Sequence, residues 1–215
     1  MAFRRIKGWI FTDKNQYLVV GIFFLILQGI TFYANYEATD FNVFFWFCNH
    51  TPLIFGLAFI FKKFDVIKAL INVGFLSQFL WTTDFLSKVF FDTYLLSITR
   101  YVFEDMNGMW VLIPILIHML GTNLAFFMTY KRKPKIRTLL YSLVYLVLIF
   151  GITTNFTLEE RNINCIQQIC GLPNLTFPNY TYFWPAVAFF LIIIPTQGIQ
   201  YLIYRLHRRR TGYEN

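Results

Sequence analysis

The sequence predicts an all-α membrane protein, a single bundle of six transmembrane helices. The chain of 215 residues is 57% hydrophobic and only 14% charged, with a mean hydropathy of +0.51. Soluble domains of this length are much more polar. Apolar runs of about 17 to 25 residues recur along the chain, and this is the length that crosses a bilayer. The basic residues also alternate from loop to loop, as the positive-inside rule describes.

The apolar runs and the basic residues together define a topology. The predicted spans cover residues 17–33, 42–61, 65–87, 110–130, 138–156 and 183–204. All Lys and Arg except Lys88, Arg100 and Arg161 fall at the two termini or in and beside the second and fourth loops. Cytoplasmic loops carry the excess of Lys and Arg, so both termini are predicted to be cytoplasmic. The net charge of +8 is therefore a topology signal and does not indicate nucleic-acid binding.

The chain is predicted to form one membrane domain over residues 1–215, with three flanking or connecting segments. Residues 1–16 form a cytoplasmic interfacial segment that shows no cleavable signal peptide, and residues 205–215 form a basic cytoplasmic tail. Residues 157–182 form an extracytoplasmic loop, where a disulfide between Cys165 and Cys170 is expected. Asn174 and Asn179 lie in glycosylation sequons in the same loop, although chance matches to so short a motif remain open. These features favour a multi-pass glycoprotein of the plasma membrane or an endomembrane.

The first two spans differ in their polar content. Span one is apolar apart from Gln28 and Thr31, which we expect to hydrogen-bond to neighbouring helices. Span two holds Cys48, Asn49 and His50 in its outer third, and Cys48 lies about 9 Å below the outer edge. His50 points away from Cys48 because residues two apart do not share a helical face. A base for Cys48 must therefore come from another helix.

Span three places Trp81, Asp84 and Lys88 on one helical face. An intramembrane Asp indicates a functional site, but an ion pair between Asp84 and Lys88 is an equally good structural explanation. The following loop, residues 92–109, is long and half apolar. We expect it to form a short interfacial helix over the outer face of the bundle.

Span four carries Pro114 and His118. Pro114 lacks a backbone N–H and clashes with the preceding turn, so the helix is expected to be distorted near His118. His118 lies about 12 Å deep, close to the depth of Cys48. A thiol and an imidazole at matching depth resemble a nucleophile and its base, although a helix–helix hydrogen bond from a neutral His is the alternative.

The last two spans carry fewer polar signals. Span five is unremarkable. Span six holds Pro195, which predicts a kink, and continues into a polar stripe with Gln197 and Gln200. Simple packing adjustment is the alternative explanation of the proline.

The sequence lacks the motifs of nucleotide and metal sites. It has no Gly-rich phosphate loop, no HExxH and no CxxC, so we expect no cofactor and no dedicated metal site, although His50, His118 and Asp84 are in principle able to bind one ion. The expected partners are membrane lipids, with an acyl lipid as the candidate substrate, and no nucleic acid. Oligomeric state and protein partners stay open.

Several short motifs carry a resemblance to known families. They are Cys48-Asn49, Trp81-x-x-Asp84, Thr99 to Glu104, Pro114 followed by His118, and Asn162-Ile163-Asn164. In this order they resemble a family of uncharacterised six-span prokaryotic membrane proteins. More distantly, the chain resembles intramembrane hydrolases of fatty acid esters of hydroxy fatty acids and cysteine-dependent transmembrane acyltransferases. The second resemblance implies a lipid acyl hydrolase or transferase in which Cys48 is the nucleophile and His118 the base. The hydrolases use Thr at the nucleophile position, so hydrolysis and transfer both stay open.

A catalytic hypothesis follows for the outer half of the bundle. His118 takes the thiol proton of Cys48, Asp84 orients or stabilises the imidazolium, and Asn49 or Gln78 donates to the oxyanion. The competing hypothesis is a non-enzymatic scaffold, lipid-binding protein or complex subunit whose polar residues join helices. A small-solute pathway is a third alternative.

Overall fold

The chain folds entirely as helices and turns in the part that the structure describes. A computed structural model describes residues 13–37, 41–106, 108–172, 175 and 177–211, and these contain no strand. The helices are α1 (Asp13–Glu37), α2 (Phe47–Ile60), α3 (Phe64–Phe91), α4 (Arg100–Glu104), α5 (Leu112–Thr129), α6 (Ile136–Phe156) and α7 (Tyr180–Arg210). Short 3-10 helices occupy Phe41–Phe45, Gly108–Val111, Glu159–Arg161 and Ile163–Cys165. The predicted all-α class is confirmed.

Five of these helices are long and apolar enough to cross a membrane: α1 from Asn15 onward, α3, α5, α6 and α7. The chain is therefore a multi-pass membrane protein. The predicted span 42–61 is divided, because Phe41–Phe45 is a 3-10 helix and Trp46 is extended before α2 begins. The 14 residues of α2 extend about 21 Å, less than a hydrocarbon core of about 30 Å. The sixth span stays a prediction.

Helix α3 lies at the centre of the bundle, in contact with α2, α5, α6 and α7. Helices α1 and α2 form the closest pair, which small residues permit. A Cβ added at Gly21 would lie 2.7 Å from Ile60 Cγ1 and 2.9 Å from the Gly56 carbonyl oxygen, so only glycine fits at this crossing. Phe24 and Phe59 stack beside it at 5.7 Å between ring centroids.

Both predicted proline distortions coincide with π-helical segments. In α5, residues Leu116–Gly121 form a π-helix directly after Pro114, and His118 lies inside it. In α7, residues Phe189–Ile193 form a π-helix shortly before Pro195. Pro195 frees the carbonyl of Leu191, inside the π segment, and the wider turn absorbs the displaced backbone. Pro114 frees the carbonyl of Trp110, so it accounts for the irregular start of α5 but not for the π segment after it. The predicted irregularity at His118 is confirmed.

The two ends of the bundle differ in chemistry. We call the end that carries Lys62, Lys63, residues 131–137 and Arg205–Arg210 the basic end, and the opposite end the disulfide end. The predicted tail begins as a continuation of α7, which runs to Arg210. Residues 1–12 and 212–215 lie outside the described residues, so most of the predicted interfacial segment 1–16 does too.

A buried polar network holds α3, α6 and α7 together towards the basic end. Lys68 donates to Gln200 Oε1 at 3.2 Å, and Gln200 donates to Asn72 Oδ1 at 2.6 Å. Asn72 in turn donates to Ser142 Oγ at 3.1 Å and to Gln197 Oε1 at 2.8 Å. The polar stripe predicted on the last span is therefore directed at α3.

The loop at the disulfide end is anchored to the bundle through Asn164. Its side chain accepts from the backbone N–H of Phe47 at 2.8 Å and donates to the Phe45 carbonyl at 2.9 Å. Cys165 and Cys170 form a disulfide with a Cα–Cα distance of 5.3 Å, which confirms the predicted bond. Asn179 precedes α7 in a left-handed conformation, whereas Asn174 lies outside the described residues.

Candidate functional site

Cys48 lies in the first turn of α2 and is half-buried. Its thiol donates to Asn49 Oδ1 at 3.7 Å. Pro52, four residues later, has no N–H to donate to the Cys48 carbonyl, so this turn of the helix is open. The nucleophile candidate therefore stands at a local break in the backbone ladder.

Gln28 of α1 completes the opened turn. Its amide nitrogen donates to the Asn49 carbonyl at 2.9 Å, and its amide oxygen accepts from the Leu53 N–H at 3.0 Å. In a regular α-helix these two backbone groups pair with each other. Gln28 thus bridges them, which confirms that it bonds to a neighbouring helix. Thr31 instead donates to the Leu27 carbonyl of its own helix at 2.8 Å, so the same prediction is wrong for Thr31. Asn49 donates to the Val43 carbonyl at 2.6 Å, so one of its N–H groups is already engaged.

Tyr145 of α6 lies against the first turn of α2. Its hydroxyl hydrogen-bonds to His50 Nε2 at 2.6 Å, and its ring contacts the Phe47 ring edge-on with centroids 5.9 Å apart. Tyr145 therefore packs on the turn of α2 that also carries Cys48.

Neither Tyr145 nor Tyr101, which bonds to Trp81, was predicted from the sequence, because Tyr145 lies in a span without charged residues and Tyr101 in a loop. The missed signal was the phenol hydroxyl itself, which needs a partner when it is removed from water.

A second branch of the site joins Tyr101, Trp81 and His118. Trp81 Nε1 donates to the Tyr101 hydroxyl at 3.3 Å. The Trp81 indole stacks on the His118 imidazole with ring centroids 4.3 Å apart and an interplanar angle of 11°. Burial of the hydroxyl raises the pKa of Tyr101. The residue as a whole is 38% exposed, so Tyr101 lies at the edge of the bundle.

A polar seam runs between α3 and α5 beside this branch. Gln78 and Thr82 are one turn apart on α3, while His118 and Thr122 are one turn apart on α5. Gln78 Oε1 accepts from the Thr122 N–H at 3.3 Å, at the end of the π segment. His118 Nδ1, Thr82 Oγ1 and Thr122 Oγ1 are buried and have no hydrogen-bond partner among the described residues. Buried polar atoms without partners are rare and often mark functional sites.

The Asp84 carboxylate is hydrogen-bonded to the connection between α3 and α5. Its Oδ1 accepts from the N–H groups of Leu96 and Ser97 at 2.6 and 3.2 Å. Its Oδ2 accepts from the Thr99 N–H at 2.9 Å and the Thr99 hydroxyl at 2.7 Å. Lys88 pairs instead with the exposed Asp92, so the Asp84–Lys88 ion pair considered from the sequence is wrong. The short helix expected in this connection is α4, which follows Thr99.

The structure brings some of the predicted site residues together and separates others. The π segment of α5 packs directly on α2, so His118 and Cys48 lie on contacting segments. Among the described residues no hydrogen bond joins Cys48 to His118, and none joins His118 to Asp84. Gln78 contacts the backbone beside His118, whereas Asn49 contacts Cys48. The catalytic roles of these five residues stay predictions.

The described residues contain no group of three or more His, Cys, Asp or Glu side chains placed to share a metal ion. Comparison with known proteins gives no family assignment, because no family model, no curated protein and no solved structure matches this chain.

Proposed function

We propose that the chain crosses the membrane six times, with both termini in the cytoplasm. The 3-10 helix Phe41–Phe45 adds about 10 Å to the 21 Å of α2, which together reach the thickness of a hydrocarbon core. Under the positive-inside rule the basic end faces the cytoplasm. The disulfide then lies in an oxidising compartment, where Asn174 and Asn179 are accessible for glycosylation. This arrangement fits the plasma membrane or an endomembrane.

We propose that the outer half of the bundle is the site of a cysteine-dependent lipid acyl hydrolase or acyltransferase. One observation carries the proposal: a buried imidazole nitrogen without a partner, at His118, is held in a π segment that packs on the helix of Cys48. The unpartnered hydroxyls of Thr82 and Thr122 in the same seam support it, since they offer hydrogen bonds to a polar lipid group. The distant resemblance to intramembrane acyl hydrolases and acyltransferases assigns the same two residues.

The proposed chemistry is acyl transfer through a thioester. His118 takes the proton from the Cys48 thiol, and the sulfur attacks the ester carbonyl of a lipid that enters from the outer leaflet. Gln78 stabilises the oxyanion through its amide nitrogen, while its amide oxygen accepts from the Thr122 N–H and so orients the group. The ester C–O bond breaks, and the imidazolium returns its proton to the leaving alkoxide. Water or an acceptor hydroxyl then cleaves the thioester and regenerates the thiol.

The required contact between Cys48 and His118 is expected to form when substrate enters. Catalytic hydrogen bonds are often long in the free protein and tighten in the complex. The stack on Trp81 fixes the plane of the imidazole, so its approach requires a shift of the π segment rather than a rotation of the ring. His50, bonded to Tyr145, is the competing base.

The test uses the single free cysteine of the chain. Cys165 and Cys170 are joined, so alkylation of the folded protein reports on Cys48 alone. A long-chain alkyl iodoacetamide is expected to label Cys48, and His118→Ala is expected to slow hydrolysis of a p-nitrophenyl fatty acid ester by about 100-fold or more. His207→Ala is the matched control, because His207 lies at the basic end against Tyr130.

The variants also identify the base. A large loss with His50→Ala and none with His118→Ala would transfer the role to the His50–Tyr145 pair. Unchanged hydrolysis in Cys48→Ala would reject the enzymatic proposal, and the unfolding temperature of each variant separates lost chemistry from lost folding.

A non-enzymatic scaffold is the second candidate, and the saturation of many polar groups favours it. Asp84 binds loop backbone, Asn164 binds the start of α2, and Gln200 binds Lys68 and Asn72. A scaffold predicts that substitutions of Cys48 and His118 change stability alone, with no ester hydrolysis to lose.

A further inference from the structure

The basic end contains a pocket that the proposed acyl chemistry does not use. Its volume is about 730 Å³, and it lies between the α2–α3 turn, the α5–α6 turn and α7. Eight Lys or Arg side chains and one carboxylate, Asp65, line it. Lys62 and Lys63 form one wall and Lys131 and Lys133 another, all four with exposed side chains.

The cations of this pocket exceed the charge available to neutralise them. Asp65 pairs with Arg137 and lies 4.0 Å from Lys135. Arg132 stacks on Phe64 at 3.6 Å from the ring centroid. Asp65 is the only acidic residue among the described residues that line the pocket.

Lys68 forms part of the pocket wall and is only 1% exposed. Its ammonium donates to Gln200 Oε1 at 3.2 Å, and no carboxylate lies within ion-pair distance of it in the part of the chain that the structure describes. Removing a charge from water is costly unless an opposite charge or several hydrogen bonds compensate it. An anion in the pocket would supply that compensation.

We propose that this pocket binds the phosphate group of an anionic phospholipid. Topology alone explains why basic residues lie at this end, but it does not require them to line a concave site over a buried lysine. We take the anion to be a lipid headgroup because the pocket reaches the first turns of the apolar helix α6, beside an exposed apolar row. Arg137 and Tyr141 line the pocket, and Leu140, Val144 and Leu148 continue from it along α6, 51 to 59% exposed. Acyl chains would lie along this row.

The experiment compares two variants that lose the same charge. Lys131→Gln/Lys133→Gln removes two cations from the pocket, and Arg209→Gln/Arg210→Gln removes two exposed cations at the same end outside it. Native mass spectrometry of the full chain in detergent, titrated with phosphatidic acid and with phosphatidylcholine, measures bound lipid. The pocket variant is expected to bind phosphatidic acid about 30-fold more weakly, since two juxtamembrane cations are lost. The control is expected to stay within about twofold of the parent protein, because Arg209 and Arg210 do not line the pocket and salt screens exposed charges that do not touch the phosphate.

The remaining outcomes decide between sources of the anion. Equal weakening by both variants would overturn the proposal in favour of diffuse surface charge. If millimolar inorganic phosphate displaced bound phosphatidic acid as effectively as added lipid does, the lipid assignment would be overturned in favour of a soluble phosphate compound. Equal binding of phosphatidylcholine would overturn the anionic headgroup. Lys62→Gln/Lys63→Gln, on the other wall, is expected to weaken phosphatidic acid binding to the same extent. This second variant keeps the test valid if the first one misfolds.

Discussion

Replacing Asp84 with Asn is expected to destabilise the protein by about 3 kcal/mol, because its carboxylate accepts four hydrogen bonds from the α3–α5 connection. Asn keeps one acceptor oxygen but turns an NH₂ group towards two donors. If that group faces Thr99, the hydroxyl can rotate to accept, whereas the Thr99 N–H loses its partner at a cost of about 1 to 3 kcal/mol. The two remaining bonds lose their ionic acceptor and weaken.

The assay is reversible unfolding of the purified protein in mixed detergent micelles, with proteolysis of the connection as a second measurement. Asp92→Asn makes the same chemical change at an exposed carboxylate paired with Lys88, and it is expected to destabilise the protein far less, because an exposed ion pair contributes little to stability. Thr99→Val removes a single hydroxyl donor and is expected to cost about 1 kcal/mol.

Stability of Asp84→Asn equal to that of Asp92→Asn would refute the anchoring role. A fall in esterase rate at unchanged stability would instead assign Asp84 to His118, as the catalytic hypothesis from the sequence has it.

Three other contacts predict losses in the same unfolding assay. Asn164→Ala is expected to lower the free energy of unfolding by about 3 kcal/mol, because it removes the hydrogen bonds to Phe45 and Phe47 and places alanine in a left-handed backbone (φ 56°). Asn164→Gly is expected to lower it by about 1 kcal/mol less, and equal losses would contradict a contribution from the backbone. Gln200→Leu is expected to lower the free energy of unfolding by about 2 kcal/mol, because it leaves the Lys68 ammonium buried without its acceptor. The double variant with Lys68→Met is expected to regain most of this stability, and a further loss would argue against this explanation. Cys165→Ser/Cys170→Ser is expected to cost about 2 kcal/mol by loop-closure entropy, and reductant is expected to reproduce that loss in the parent protein but not in the variant.

Some properties of the candidate site were predictable because they are local. Pro114 and Pro195 predict distorted helices whatever their tertiary contacts, and both lie near π segments. The Cys165–Cys170 pair is close in sequence and needs no distant partner. The division of 42–61 was not predictable from hydropathy, because the break lies at the extended Trp46, in a part of the run that is as apolar as the helix after it.

The sequence by itself determined that the protein is a helical membrane bundle and which end is basic, since length, hydropathy and charge belong to each segment alone. Only the tertiary structure decided which polar groups meet. Helical spacing states which residues share a face, but the rotation of each helix about its axis decides what that face touches. The observed rotations bond Asp84 to loop amides rather than to His118, His50 to Tyr145, and Lys68 to Gln200.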